Sequence, residues 1–386
     1  MTGTEWGRVD VRATWAEVDL GALRANVGVL RAALAPGARL LAVVKADAYG
    51  HGAVPVARAA LEAGAAVLGV ALLEEGLALR AAGIRAPVLV MGWTPPDRAA
   101  EVAAADLDQA VFTPEDGRAL AAAGRAAGRR VRVHAKLDTG MGRVGWPARS
   151  PAGQEAAATA IAALAGLPGA ELAGIFTHFA GADEPDLAGT RAQLAAFDAV
   201  LSLLEARAVR PPVRHVANTA ALLRLPESHL DLCRAGIGLY GYLPSPDVPD
   251  PGLRPVLSWY ARVAMVKDLA PGDAVSYGST YTAERRERVA TLPVGYADGW
   301  RRALSNCGHV LLGGVPAPVR GRVCMDQTVV SAEGSGDVRQ GDVAVLLGAQ
   351  GGARRWADAL AAELETISYE VLCNIQPRVP RRYLEG

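Results

Sequence analysis

At 386 residues the chain is longer than one hydrophobic core usually serves, which predicts two domains. Forty basic residues balance forty acidic ones, and a formal charge of zero argues against a nucleic-acid partner and gives no pull toward anionic membranes. No apolar run reaches the ~18 residues of a spanning helix, and the opening MTGTEWGRVDVRATW has no apolar stretch for a secretion signal, so a cytoplasmic protein without a membrane partner is expected.

In chain order, residues 1–13 are free to pair with the second domain as an extra strand. LGALRANVGVLRAAL (20–34) has the apolar spacing of a helix, and LLAVVK (40–45) follows as the first strand. From there to about Tyr240, short apolar runs alternate with alanine-rich amphipathic segments. The further strand candidates are AVLGV (66–70), PVLVM (87–91), QAVF (109–112), VRVHAKL (131–137), LAGIFTH (172–178), VRHVA (213–217) and DLCRAGI (231–237). Helices between them include LEEGLALRAAG (73–83), TPEDGRALAAAGRAAG (113–128) and DLAGTRAQLAAFDAVLSLLEA (186–206). This α/β alternation predicts a closed (β/α)8 TIM-type barrel over residues 14–243. The competing arrangement, an open doubly wound sheet, lacks the GxGxxG that would open its first βα turn. A proline-rich linker, YLPSPDVPDPGLRP, comes next. The β-branched runs beyond it, with one helix in ARRWADALAAELE (353–365), predict a mostly β C-terminal domain over residues 244–386.

Only three of the forty basic residues are lysines: Lys45, Lys136 and Lys267. Arginine stays protonated at any relevant pH, whereas a buried lysine can lose its proton and act as nucleophile or base. Lys267, in AMVKDL, suits an ordinary solvated strand end. Lys45 stands at the end of the first strand, and catalytic groups of a parallel barrel collect at such ends. The same ends carry Lys136, Asp138 and Arg143 after strand five and His178 after strand six. Asn218 and Thr219 follow strand seven, and Arg234, Gly236, Ile237 and Gly238 lie on or after strand eight. The last two loops are where such barrels hold phosphate on backbone N–H groups. A Schiff-base lysine opposite a phosphate anchor points to pyridoxal 5′-phosphate as cofactor. The four cysteines (Cys233, Cys307, Cys324, Cys373) have no paired metal spacing, and no metal is expected.

AVVKADAYGHG (42–52) resembles the pyridoxal-lysine signature of the alanine racemase family. KLDTGMGRVG (136–145), THFAGAD (177–183), RAGIGLYG (234–241), VSYGSTY (275–281), GYADGW (295–300), GRVCMDQ (321–327) and TISYEV (366–371) resemble that family's other signatures in order and spacing. The resemblance runs from about residue 14 to the C-terminus. It implies the barrel and β domain, a head-to-tail homodimer with shared active sites, and interconversion of L- and D-alanine, a peptidoglycan precursor supply in bacteria.

What the resemblance implies for single residues is specific. Lys45 would hold the cofactor covalently and serve as one base at Cα, with Tyr277 as the second base on the opposite face. His178 would hydrogen-bond Tyr277, with Arg234 behind it. Arg234 would face the cofactor's ring nitrogen, and because arginine accepts no proton the nitrogen would stay largely neutral. Arg143 would bond the cofactor's phenolic oxygen beside the substrate carboxylate, and Lys136 matches a lysine that CO2 carbamylates in many members. Tyr49 and Tyr369 would reach the phosphate, joined by Thr219, Gly236 and Ile237, with Asn218 positioning the loop. Met325 would offer its backbone N–H to the substrate carboxylate, and Tyr296, with Tyr369, would narrow the entrance. His134 and His215 receive no role. Two alternatives stay open: a broader amino-acid racemase on the same architecture, and a non-catalytic pyridoxal-phosphate carrier, for which a β domain bearing Tyr277 would be superfluous. An amino-acid decarboxylase would require an acidic partner for the ring nitrogen where Arg234 stands.

Overall fold

The structure is a computed structural model describing residues 12–385. The chain divides into two compact units. One comprises Leu23–Ala48 and Ala53–Arg254. The other comprises the described residues up to Ala22, the short segment Tyr49–Gly52, and the chain from Pro255 onward.

The first unit is built on eight parallel strands. Their order around the sheet is Leu232–Ala235, Arg39–Val43, Val67–Val70, Val88–Val90, Asp108–Val111, Val131–Asp138, Ala170–Phe176 and Val213–His215. The seam between the last and the first is bridged by two backbone bonds, Asp231 N–H to Arg214 O at 3.1 Å and Arg234 N–H to Ala217 O at 3.0 Å. The expected barrel is therefore present and nearly closed. Each strand lies within two residues of its sequence-based range. The reason is burial on both faces, which turns a strand into a continuous run of Val, Leu, Ala and Gly.

The helices start where their sequences dictate. Thr113 caps Pro114–Ala126 by accepting the Asp116 N–H at 3.2 Å, while the Asp116 carboxylate accepts the Thr113 N–H at 3.1 Å. Ser150 likewise caps Pro151–Ala165. Among the described residues, no helix is long and apolar enough to cross a membrane.

The second unit is a mixed sheet in the order Val315–Pro318, His309–Leu312, Val343–Gln350, Leu257–Arg262, Thr14–Asp19, Arg381–Leu384. A three-stranded sheet, Met265–Leu269, Glu287–Leu292 and Thr328–Ser331, accompanies it. The strand Thr14–Asp19 lies in the range expected for the barrel. It runs instead antiparallel to Leu257–Arg262 and parallel to Arg381–Leu384. Burial decides this placement: Ala16 and Val18 are fully enclosed, and Trp15 stacks on Tyr260 with ring centroids 5.4 Å apart. Of the opening residues expected to pair with this domain, 1–11 lie outside the described residues, while the Ala13 carbonyl accepts the Arg262 N–H at 2.7 Å. A short helix not expected from sequence, Ser368–Cys373, carries Tyr369.

One glycine in the barrel wall is fixed by its neighbour. A Cβ on Gly174 would lie 2.4 Å from His134 Nδ1 and 2.9 Å from the Val213 carbonyl. Gly174→Ala is therefore expected to displace the His134 ring and to cost about 1–3 kcal/mol. A lower urea midpoint with an unchanged slope would show it.

Candidate active site

Lys45 follows the strand Arg39–Val43 and is half-buried. The backbone after it is unusual. Ala46, Asp47, Ala48 and Tyr49 have φ values of 52°, 52°, 53° and 54°, so four consecutive non-glycine residues wind left-handed. Such a conformation costs an L-residue roughly 1–2 kcal/mol each. The glycines Gly50 and Gly52 only finish it, with φ of 81° and 96°.

Arg234 is only 4% exposed, and among the described residues no carboxylate neutralises it directly. Its Nη1 donates to the His215 carbonyl at 2.8 Å, and its Nη2 donates to the carbonyls of Thr177 at 2.8 Å and Val216 at 3.0 Å. Two imidazole nitrogens complete the shell, His215 Nδ1 at 3.0 Å from Nη1 and His178 Nδ1 at 3.3 Å from Nη2. A guanidinium only donates, so both Nδ1 atoms accept, and each ring carries its proton on Nε2. For His215 that proton points along a 2.9 Å contact to His134 Nδ1, and His134 Nε2 lies 3.5 Å from the Asp108 carboxylate. Burial beside Arg234 pushes His178 and His215 well below the usual histidine range, so both rings are neutral at physiological pH. Burial also lowers Arg234 itself, to about 10, still protonated near neutrality. None of these bonds uses its Nε–H, which remains available to an acceptor.

Lys136 is 6% exposed, with Nζ 5.0 Å from the centroid of the Phe176 ring. Desolvation, then Arg234 and Arg143, bring its amine down to about 7, with Asp138 opposing and Lys45 adding to the fall. Asp138 is engaged elsewhere: its carboxylate accepts the N–H groups of Gly140 at 3.0 Å and Gly142 at 2.9 Å and faces Arg149 at 3.5 Å. It shapes the loop that presents the exposed Arg143.

After the C-terminal end of the strand Val213–His215, Asn218 caps the helix Thr219–Arg224, accepting the Ala221 N–H at 3.0 Å. Thr219 Oγ1 accepts the Gly236 N–H at 3.0 Å, leaving its own hydroxyl hydrogen to donate. Ile237 opens a short 3-10 turn, and a Cβ on Gly238 would come within 2.8 Å of Thr219 Cγ2. The two loops thus approach each other closely.

The remaining expected residues belong to the second unit. The rings of Tyr49 and Tyr369 lie 5.8 Å apart, and burial, Tyr369 and Cys373 push the Tyr49 phenol far up, so it stays protonated as a donor. Tyr277 sits on a turn where Ser276, Gly278 and Ser279 have φ of 65°, 71° and 48°. It is 74% exposed, beside an open depression of about 430 Å3 lined by Ser276, Cys324, Met325, Asp326 and Gln327. Met325 is 52% exposed while its carbonyl accepts the Ala297 N–H at 3.0 Å, and Tyr296 is held by its N–H on the Cys324 carbonyl at 3.0 Å.

The N-terminal domain of alanine racemases matches residues 18–244, and the C-terminal domain of alanine racemases matches residues 256–383. The chain is 51% identical to the alanine racemase of Symbiobacterium thermophilum over 97% of each chain. The crystal structure of alanine racemase from D-cycloserine-producing Streptomyces lavendulae is 44% identical and superposes with a TM-score of 0.90, over 97% of this chain and 98% of that one. The alanine racemase of Bacillus anthracis with bound L-Ala-P is 37% identical, TM-score 0.89, over 97% and 96%.

The chain belongs to the alanine racemase family. In this alanine racemase-family barrel the sequence reading left out two residues that the structure ties to Arg234, namely His215 and His134. A signal existed: His134 stands two residues before Lys136 on one strand, and a strand's period of two puts both on the same face. His215 ends the strand before Asn218 and Thr219.

The depressed Lys136 amine has a measurable consequence. A base whose folded value lies below its ordinary 10.5 contributes stability that is full above that value and is lost as pH falls toward about 7. Relative to Lys136→Met, the native chain is expected to gain unfolding free energy between pH 7 and 10. Parallel pH profiles for the two in chemical denaturation would contradict the assignment.

Proposed function

We propose that this chain interconverts L-alanine and D-alanine, with pyridoxal 5′-phosphate held on Lys45 and with active sites shared by two copies of the chain. The observation that carries the reading is the set of groups around Arg234. Four cations, Lys45, Lys136, Arg143 and Arg234, are close enough to depress one another or His178. This donor set fits a phosphorylated, phenolic cofactor together with a carboxylate substrate. The unused Arg234 Nε–H supplies a donor for a ring nitrogen, and Thr219, Gly236, Ile237 and Asn218 offer a phosphate cradle, with Tyr49 and Tyr369 as hydroxyl donors. The L-Ala-P bound by the Bacillus anthracis relative agrees with alanine as substrate.

When bound, the cofactor supplies an electron sink for the pair left at Cα as its proton departs. The chain's residues move that proton. Lys45's neutral amine takes or returns it on one face and Tyr277's phenol on the other, because a single base tends to return a proton to the side it came from. A phenol with pKa ~10 needs help to act near neutrality. His178 is suited to give it: with Nδ1 accepting from Arg234, its Nε2–H is the donor left for a phenolate oxygen. Arg234 accepts no proton, so a ring nitrogen held beside it would stay largely neutral, and the resulting weaker electron sink would restrain side reactions such as transamination. Lys136, deprotonated above about pH 7, can add CO2 and release a proton to become a carbamate anion that orients Arg143. The exposure of Tyr277 and Met325 supports the shared site, since a base and a carboxylate-binding loop work best covered from water. D-Alanine so formed would serve peptidoglycan precursor synthesis.

Enantiomer-resolved assays with alanine and larger amino acids test the substrate. Lys45→Ala and Tyr277→Phe are each expected to lower the rate by about 10²–10⁴-fold. After subunit exchange, an equal mixture of the two should recover about a quarter of the native rate, because half of the dimers then hold one intact site. No recovery from fully exchanged mixtures would defeat the shared site, and CO2 release or absence of racemisation would defeat the activity.

A further inference from the structure

We infer that Glu75 is a positioning residue for Lys45, holding in place the strained left-handed turn that begins at the next residue. The inference deepens the reading above, since it takes Lys45 as the group that carries the cofactor and moves the proton. Glu75 lies on the helix Leu73–Ala81, after the strand that pairs with the one preceding Lys45. Its two oxygens serve different purposes. Oε2 accepts the N–H groups of Ala71 at 2.7 Å and Leu72 at 3.1 Å, which is an ordinary helix-start arrangement. Oε1 reaches 29 residues back along the chain and accepts the Ala46 N–H at 2.6 Å.

That second bond falls where the turn most needs it. The amides on both sides of Lys45 become fixed: Val44 N–H is held by the Gly69 carbonyl at 2.8 Å, and Ala46 N–H by Glu75. Further along, Ala48 N–H returns to the Val44 carbonyl at 2.9 Å, and Asp47 accepts the Ala53 N–H at 2.7 Å. Ala46 is the first residue of the turn with positive φ, and, as at any helix start, its N–H has no partner within the turn. A carboxylate acceptor makes a stronger bond than a neutral one and offsets part of the backbone strain. Without it, Ala46 can relax to negative φ, which rotates the peptide plane on the C-terminal side of Lys45 and turns its side chain away from the direction set by the strand. Small displacements of a reacting group are costly to rate but leave substrate binding largely alone.

The test compares Glu75→Ala, Glu75→Gln and Glu74→Gln in the purified, cofactor-loaded chain. Glu74 is the neighbouring carboxylate, paired with Arg98 and not with the turn. Hydrogen–deuterium exchange is read at residues 46–49 and, separately, across the helix 73–81; steady-state racemisation is followed in both directions. For Glu75→Ala, exchange at 46–49 is expected to speed by about tenfold or more, with kcat falling by a similar factor and KM for alanine changing little. Glu75→Gln keeps one acceptor oxygen and should fall between, and Glu74→Gln should match the native chain. Unchanged exchange at 46–49 in Glu75→Ala, or faster exchange confined to the helix with kcat intact, would overturn the inference. If the native chain does not racemise alanine at all, the functional reading fails while the exchange measurement still decides what Glu75 holds.

Discussion

The site depends on a buried guanidinium that, among the described residues, is stabilised without a carboxylate beside it. Arg234 is surrounded by three backbone carbonyls and two imidazole nitrogens, the sort of neutral shell that satisfies a charge by hydrogen bonds while leaving it a charge. This choice propagates. It fixes which nitrogen of His178 and of His215 bears the proton, keeps both rings neutral, and relays through His134 to Asp108, the nearest anion on that path. A carboxylate at position 234 would invert every one of these assignments, because the histidines would then have to donate toward it. The barrel's closing seam runs through the same residue: Arg234's own N–H bonds the Ala217 carbonyl. The side chain proposed to face the cofactor ring therefore sits on backbone that the fold needs in any case.

Both groups proposed for proton transfer are mounted beside left-handed backbone. After Lys45 come four residues near φ 52–54°, and Tyr277 lies among Ser276, Gly278 and Ser279, all with positive φ. Neither turn is left to hold itself. The Tyr277 turn is fastened by Ser276, whose hydroxyl donates to the Arg322 carbonyl at 2.6 Å, and by Asn306. The Asn306 amide donates to the Thr280 carbonyl at 3.2 Å while its oxygen accepts the Gly321 N–H at 2.6 Å. Strain of this kind persists only where neighbours over-determine the backbone, and it clusters where a side chain must be aimed. A relaxed turn would place the amine or the phenol by its own rotamer preferences. A strained and pinned one places it by the architecture.

The barrel was legible because strands buried on both faces announce themselves as uninterrupted apolar runs, and the strand ends then nominated Lys45, His178, Asn218 and Arg234. Three features were not legible, each for a physical reason. The strand Thr14–Asp19 pairs with residues some 245 positions away, and an alternating run carries no mark of which sheet will bury it. The left-handed turn uses Ala, Asp, Ala and Tyr, residues without the glycine signal that positive φ normally leaves in a sequence. His134 lies inside its strand and His215 is the last residue of a three-residue one, and a buried histidine in either place reads as a satisfied core residue until a partner such as Arg234 is placed beside it. The roles of Tyr277 and Met325 came from family likeness alone, since nothing local separates an exposed tyrosine on a short turn from any other rim residue.

The scarcity of lysine acquires its meaning from the electrostatics. Lys45, Lys136, Arg143 and Arg234 form a cationic group in a chain of zero net charge, and Asp138, the carboxylate among its neighbours, is committed to the Gly140 and Gly142 amides. Four arginines could not share such a space without a heavy penalty, because none of them can shed its proton. Lysine can. Burial and its cationic neighbours lower the Lys136 amine to about 7, so deprotonation there can relieve part of the cluster's repulsion. A neutral amine is then available for chemistry that arginine cannot do, and the residual positive charge favours anionic ligands such as phosphate and carboxylate. The same repulsion that would destabilise an all-arginine site is thus what prepares a lysine-containing one to bind and react.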